Sequence, residues 1–323
     1  MGQVESLALP FESYKLAFTP DLAQQIFVDS GKLTVAELNG VLADEGKYVH
    51  SENDANWWIP SGQIFYSPNE TDDAFQELTF ARRHFFLPHR IQDPFGGTTS
   101  VEYDKDLNGV EYNLLVALTR DAVGNEVKAN NDYRVLQPKL VTDPNGNRSE
   151  AAFDVLGMLV STAVKGKLGQ NLGDLLEDFD PDPPLTALQA FVADPQGQAA
   201  SLLGKATTRI VYDLDRFKRG GQPPFAATLA RETHFADLSG ALTKIQVGFS
   251  YSDGFGREIQ KKIQAEPGPL VEGGPSVSPR SVGSGWTIFN NKGKPVRQYE
   301  PFFSATHDFE FGVLVGVSSI LFY

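Results

Sequence analysis

Aspartate followed three residues later by glycine occurs eight times in this sequence, at Asp93, Asp106, Asp121, Asp143, Asp154, Asp194, Asp237 and Asp253. Asn290 with Gly293 supplies the Asn version. With 23 Asp and 30 Gly among 323 residues, random placement predicts roughly two such pairs, and the excess has a cause in turn chemistry. An Asp carboxylate at the first corner accepts from backbone N–H groups further on, and Gly at the fourth takes the positive φ that a following bulge needs. A chain so rich in this device folds back on itself repeatedly. The pairs Asp93/Gly96, Asp121/Gly124, Asp143/Gly146, Asp154/Gly157 and Asp253/Gly256 are the expected joints.

One joint has a rival reading. In "VTDPNGNRSEAAFDVLG", residues 141–157, Asp143, Asn145, Asn147 and Asp154 offer oxygen ligands at calcium-loop spacing. Such a loop wants Gly at its sixth position and Glu at its twelfth; Arg148 and Asp154 stand there instead. The turn reading is favoured.

The segments between the joints have the matching pattern. From about residue 76, "QELTFARRHFFLPHRI", "TTSVEYD", "NLLVALTRD", "RVLQPKLVTD" and "ATTRIVYDLDRF" are short, rich in β-branched and aromatic residues, and bounded by Gly, Pro, Asp or Asn, as strands are. Ile245, Val247, Phe249 and Tyr251 alternate before Asp253, which predicts a hairpin. Helix signals lie elsewhere. Thr19 with Pro20, and Thr34 with Glu37, are N-terminal caps, and residues 167–205 read as a helical excursion from the β framework. "NWWIPSGQIFYSP" reads as a short hairpin around Pro60 and Gly62. Residues 1–75 are thus a mixed lead-in, and 76–323 a mainly β region.

Composition excludes several functions. A formal charge of −13 opposes a nucleic-acid partner, because phosphate neutralisation needs clustered Lys and Arg. The one dense basic run, "GREIQKKIQ", reads as a solvated strand face. Without cysteine there are no disulfides, thiolate metal sites or Cys nucleophiles. No run reaches the about 18 apolar residues of a membrane span, and no signal peptide is visible. His84 and His89 are separated by Pro88, which breaks the helical spacing of zinc motifs, so packing roles are expected. Asp174, Glu177, Asp178, Asp180 and Asp182 in "DLLEDFDPDPP" read as a solvated acidic loop. Trp57 and Trp58 point to opposite faces of any strand, which leaves at most one for a sugar platform. No serine-hydrolase elbow or P-loop occurs. Neither a catalytic centre nor a cofactor is expected.

Several joints follow a strand that carries an aromatic: Tyr103 in "EYD", Phe153 in "AFD", Tyr212 in "VYD" and Tyr251 in "FSYSD". This repeated motif, with "FSYSDGFGREIQKK", "GSGWTIFNNKGKPVRQYEPFFS" and "RVLQPKLVTDPNGNR", resembles the Rhs or YD-repeat region of the B component of Tc insecticidal toxin complexes and related SpvB-containing proteins. The resemblance implies YD-repeat hairpins in a long curved or spiralling antiparallel sheet, part of a hollow shell that encloses a cytotoxic polypeptide carried by the C component. It implies a secreted, non-catalytic wall without cofactors. Its partners would be the remainder of the same large polypeptide, the C component with its cargo, and the pore-forming A component only through regions outside this sequence. On that view the chain is a segment of a larger protein. A carbohydrate-binding or carbohydrate-active β-protein and a YD-repeat adhesion module are the rival readings.

Overall fold

Alternation decides where the core lies. Along Thr208–Asp213, Phe225–Arg231 and Ile245–Ser252 every second residue is buried, so each strand gives one face to the interior, as a two-residue period requires. The computed structural model describes residues 9–51, 53–105 and 109–323. The chain divides into two compact units, Met1–Asn145 and Gly146–Tyr323. Both are built mainly from antiparallel strands.

In the first unit β1 (Tyr14–Phe18) pairs with β2 (Trp57–Pro60). Between them α1 (Pro20–Ala23) starts at Thr19, whose hydroxyl accepts from Leu22 N at 3.3 Å. Helix α2 (Val35–Asn39) starts at the Thr34–Glu37 capping box. Ala23, Leu38, Leu42 and Trp57 form their shared core. The strands β3 (Gln63–Phe65), β4 (Arg90–Gln92), β5 (Thr98–Lys105), β6 (Glu111–Arg120), β7 (Glu126–Asp132) and β8 (Gln137–Thr142) pair in chain order.

Two local expectations fail here. Pro60 and Gly62 do not turn a hairpin: β2 pairs with β1 and β3 with β4, so Gly62 carries the chain from one sheet to another. Its φ is +90° and an added Cβ would lie 2.6 Å from Gln92 O, so both conformation and space demand glycine. The segment from Gln76 begins as a helix, α3 (Ala74–Arg83), where strand was expected. Asp73 caps Phe75 N and Gln76 N, and Gln76 returns a bond to the Asp73 N–H. That capping box, followed by good helix formers, outweighs the aromatic content that suggested a strand.

The second unit holds β9 (Arg148–Phe153), β10 (Leu159–Lys165), β11 (Thr208–Asp213), β12 (Phe225–Arg231), β13 (Ile245–Ser252) and β14 (Glu258–Ala265), again paired in chain order. β15 (Gly268–Pro269) and β16 (Ser276–Val277) make a side hairpin before β17 (Arg280–Gly283) rejoins the sheet. β18 (Thr287–Phe289) and β19 (Pro295–Gln298) do the same before β20 (Phe302–Ser304), and β21 (Ser319–Ile320) pairs with β19. Of the excursion between 167 and 205 only the second half is helical, as α4 (Leu185–Ala193) and α5 (Pro195–Leu203), and residues 167–184 run as turns and extended chain. Phe191, Ala199 and Leu203 from these helices pack against Val211, Leu229 and Phe249 of the sheet, which explains why the excursion stays folded against it. A short helix, α6 (Arg216–Gly220), follows β11.

Candidate functional site

Five of the repeated pairs build the same loop. Asp93, Asp121, Asp154, Asp253 and Asn290 stand at the start of turns joining β4 to β5, β6 to β7, β9 to β10, β13 to β14 and β18 to β19. In each, the N–H of the glycine donates to the first residue's carbonyl at 2.9 to 3.1 Å, and the first N–H donates to the carbonyl four residues on at 2.8 to 3.0 Å. The side-chain Oδ1 accepts from the N–H four residues on at 2.8 to 3.1 Å. Gly96, Gly124, Gly157, Gly256 and Gly293 have φ between +73° and +90°. This is a type I turn closed by a glycine bulge. At Asp121, hydrogen bonds from the Asn125 side chain and then its backbone N–H hold the carboxyl below the usual carboxylate range.

Asp143/Gly146 shares the positive-φ glycine at a strand-to-strand turn, and the Asp194 and Asp237 pairs lie at helices. Gly146, between β8 and β9, has φ +84°; Asp143 opens that turn. Asp194 caps α5, accepting from Gly197 N at 3.0 Å, and Asp237 closes the single turn Phe235–Asp237. Asp106 lies outside the described residues.

Asp253→Ala removes acceptors for Phe255 N and Arg257 N and the ion partner of Arg257. It is expected to cost about 0.5 to 2 kcal/mol, the range of a lost cap. Gly256→Ala meets open space but keeps φ +75°, so strain alone should cost about 1 to 2 kcal/mol. Urea denaturation of both variants checks this, with Asp253→Asn keeping the Oδ1 bonds as control.

The tyrosines of the repeat each bond a main-chain carbonyl. Tyr103 on β5 donates its hydroxyl to Pro88 O at 2.9 Å, Tyr212 on β11 to Leu159 O at 3.0 Å, and Tyr251 on β13 to His307 O at 2.8 Å. Burial raises all three phenols above their ordinary range, so they remain protonated donors. Phe153 ends β9 immediately before the Asp154 turn. Tyr103 and Tyr251 thus tie main chain from other segments to the sheet, and Tyr212 bonds the start of the neighbouring strand β10. The aspartates after two of them also tie segments together. Buried Asp104 accepts from Leu114 N and Leu115 N and from the Tyr133 hydroxyl. Asp213 holds Arg219 of α6 through both oxygens, at 2.6 and 2.7 Å.

Two polar clusters depart from the solvated surfaces read from the sequence. Asp174 is fully buried, although the acidic loop around it was expected to be solvated. It accepts from Thr207 Oγ1 and Phe235 N and bonds His234 Nδ1 at 2.8 Å, with Arg231 Nε at 3.6 Å. Its donors come from residues 33 to 61 positions away in sequence, so no local signal could reveal it. Glu177 and Asp178 of the same loop are exposed. On β14, Gln260 and Lys262 face the interior, whereas Ile263 is 44 % exposed. The basic run is therefore solvated only in part.

His84 ends α3, stacked on Phe80 at 3.6 Å with Nε2 2.8 Å from Glu111 Oε2. His89 is buried between Phe80, His84 and Tyr103, its ring 5.1, 5.8 and 5.1 Å from theirs. Its Nε2 has no hydrogen-bond partner among the described residues. Burial, and then the His84 charge, push His89 below its ordinary value of 6.5. In the unfolded chain the ring takes a proton near 6.5, while in the fold it stays neutral to lower pH. Stability contributed by His89 is thus present above 6.5 and lost as pH falls below it. Urea melts of the first unit at pH 7.5 and 5.5 should show a loss in acid that His89→Phe reduces. Among the described residues no group of three or more His, Asp or Glu is placed to hold a metal ion. No helix there is long and apolar enough to cross a membrane.

The sequence matches no family model and no curated protein. Its fold does have solved counterparts. A crystal structure of TcdB2-TccC3 superposes with a TM-score of 0.66 at 22 % identity, covering 94 % of this chain and 14 % of that one. TcdB2-TccC3 without its hypervariable C-terminal region gives 0.64 at 18 %, covering 96 % and 16 %. A Photorhabdus luminescens Tc holotoxin pore gives 0.62 at 19 %, covering 92 % and 16 %. At these identities the likeness is one of fold, and the chain spans 14 to 16 % of the length of these counterparts.

Proposed function

We propose that this chain is a stretch of the wall of a Tc-type shell, a non-catalytic Rhs/YD-repeat sheet that encloses a cytotoxic polypeptide. The observation that carries this reading is the superposition on TcdB2-TccC3 over 94 % of the chain. Its physical support is the use made of the polar repeat. Oδ1 groups at the hairpin turns are engaged by turn N–H groups, and the tyrosine hydroxyls bond main chain. A wall acts by excluding proteases and solvent, and such tightly closed joints suit that task. The remainder of the larger polypeptide and the C component with its cargo would be its partners, and the complex would act after secretion.

Trp57 is buried in the helical core of the first unit and the Trp58 indole bonds Asp54 Oδ1 at 3.3 Å, which leaves no free pair of rings for a sugar. The test is protease protection. The larger protein that carries this segment is co-expressed with its C component and treated with proteinase K. The enclosed polypeptide should survive in the intact complex and be degraded when Phe249→Ala loosens the wall. Survival unchanged by that variant, with the segment shown to be destabilised, would overturn the reading.

A further inference from the structure

The inward face of β14 binds main chain. Gln260, fully buried, donates from Nε2 to Glu310 O at 2.9 Å and accepts from Glu310 N at 2.8 Å on Oε1. Its amide thus pairs with Glu310 as a neighbouring strand would. Two residues on, the Lys262 side chain is wholly buried, reaches Thr306 O at 3.4 Å and pairs with the Glu310 carboxylate. Tyr251 on the adjacent strand takes His307 O. Residues 305–310 therefore form a strap held to the sheet by side chains that grip its peptide groups.

Gln264 is the next residue on the same face, since side chains two apart point the same way. Its Oε1 is buried and has no hydrogen-bond partner among the described residues. It borders a cavity of about 310 Å³ with Lys262, Ser281, Thr306, His307 and Phe249 on its walls. The first rung of this ladder holds the peptide group of Glu310, the second holds the Glu310 carboxylate with Thr306 O, and the third faces the cavity.

We propose that this cavity is a binding site for one residue of an extended polypeptide, whose main-chain N–H donates to Gln264 Oε1. A carbonyl oxygen in this position is matched by an N–H or O–H and not by a carboxylate or phosphate. Peptide is the class the neighbouring rungs already hold. Val247, Phe249 and Pro279 on the same walls suit a small aliphatic side chain. A charged one is disfavoured, because Lys262 is already balanced by Glu310 and a further buried charge would stand unpaired. The site belongs to the second unit alone and goes beyond the wall reading.

The experiment uses the 323-residue chain labelled with ¹⁵N-glutamine and an end-capped Ala-Val-Ala peptide. Titration should move the Gln264 side-chain amide signals saturably. The same peptide N-methylated at every amide should bind roughly fivefold to tenfold more weakly, as should the unmodified peptide to Gln264→Leu, the effect of one lost hydrogen bond. Ala305→Phe, which fills the cavity from its rim, should abolish the shift while leaving the thermal melt unchanged, and it stands in if Gln264→Leu misfolds. Absence of a saturable shift up to the peptide's solubility limit would mean that the cavity holds solvent only and would overturn the proposal. Equal affinity for the N-methylated peptide would overturn it too. Neither result bears on protease protection by the larger complex, so the two readings fail separately.

Discussion

Phe249→Ala lowers the stability of the second unit by about 3 to 5 kcal/mol, the cost of a large aromatic removed from a packed core. Phe249 is 2 % exposed. Its ring stacks on Phe191 of α4 at 5.7 Å, on Tyr251 at 6.1 Å and on His307 of the strap at 4.9 Å, and meets Phe225 edge-on at 5.2 Å. It is thus the point where helices, sheet and strap share one contact, and the surrounding elements cannot all move inward to fill the hole. Tyr251→Phe is the milder companion. It keeps the ring and removes the hydroxyl with its bond to His307 O and its contact with Arg216, leaving a carbonyl short of a donor, for a loss of about 1 to 3 kcal/mol. Urea unfolding followed by tryptophan fluorescence, with hydrogen exchange to localise the change, measures both. A loss under about 1 kcal/mol for Phe249→Ala would show that this cluster is not the core.

Asp174→Ala is expected to cost as much by a different route. Its carboxylate is fully buried and the Arg231 side chain beside it is 3 % exposed. Removing the carboxylate leaves the guanidinium without its counter-charge, and Thr207 Oγ1 and Phe235 N without an acceptor. Breaking a buried pair from one side costs about 3 to 5 kcal/mol, whereas replacing both partners by apolar groups is often near neutral. Asp174→Leu combined with Arg231→Met should therefore be less destabilised than Asp174→Ala alone. Equilibrium unfolding of Asp174→Leu, Arg231→Met and the double variant, beside Asp174→Ala, is the check, and strict additivity would show that the pair is not coupled.

Legibility in the sequence followed the range of the interactions. Thr19 and Thr34 cap their helices because each cap needs only the next three or four residues, and the Asp253 turn depends on Gly256 and Arg257 for the same reason. The helical half of the excursion at 167–205 was visible as helical spacing between strands. The Asp73–Gln76 box is equally local, yet the aromatics that follow it fit a strand as well, and the cap bonds decide for the helix. Pro60 and Gly62 mark a turn in either arrangement; only the partner strands, β1 and β4, show that it links two sheets.

The chain's own residues thus determined that it would fold back often, into short strands with glycine-closed joints, since a turn is decided by neighbours and by the φ a residue can adopt. Tertiary structure alone decided which polar groups lie inside. Asp174 and Lys262 belong to segments that read as exposed, yet both are buried by partners tens of residues away, and the Gln264 side-chain oxygen is enclosed in the same way. Solvation is a property of everything that surrounds a group, and the order of residues along a strand does not record what will come to rest against it.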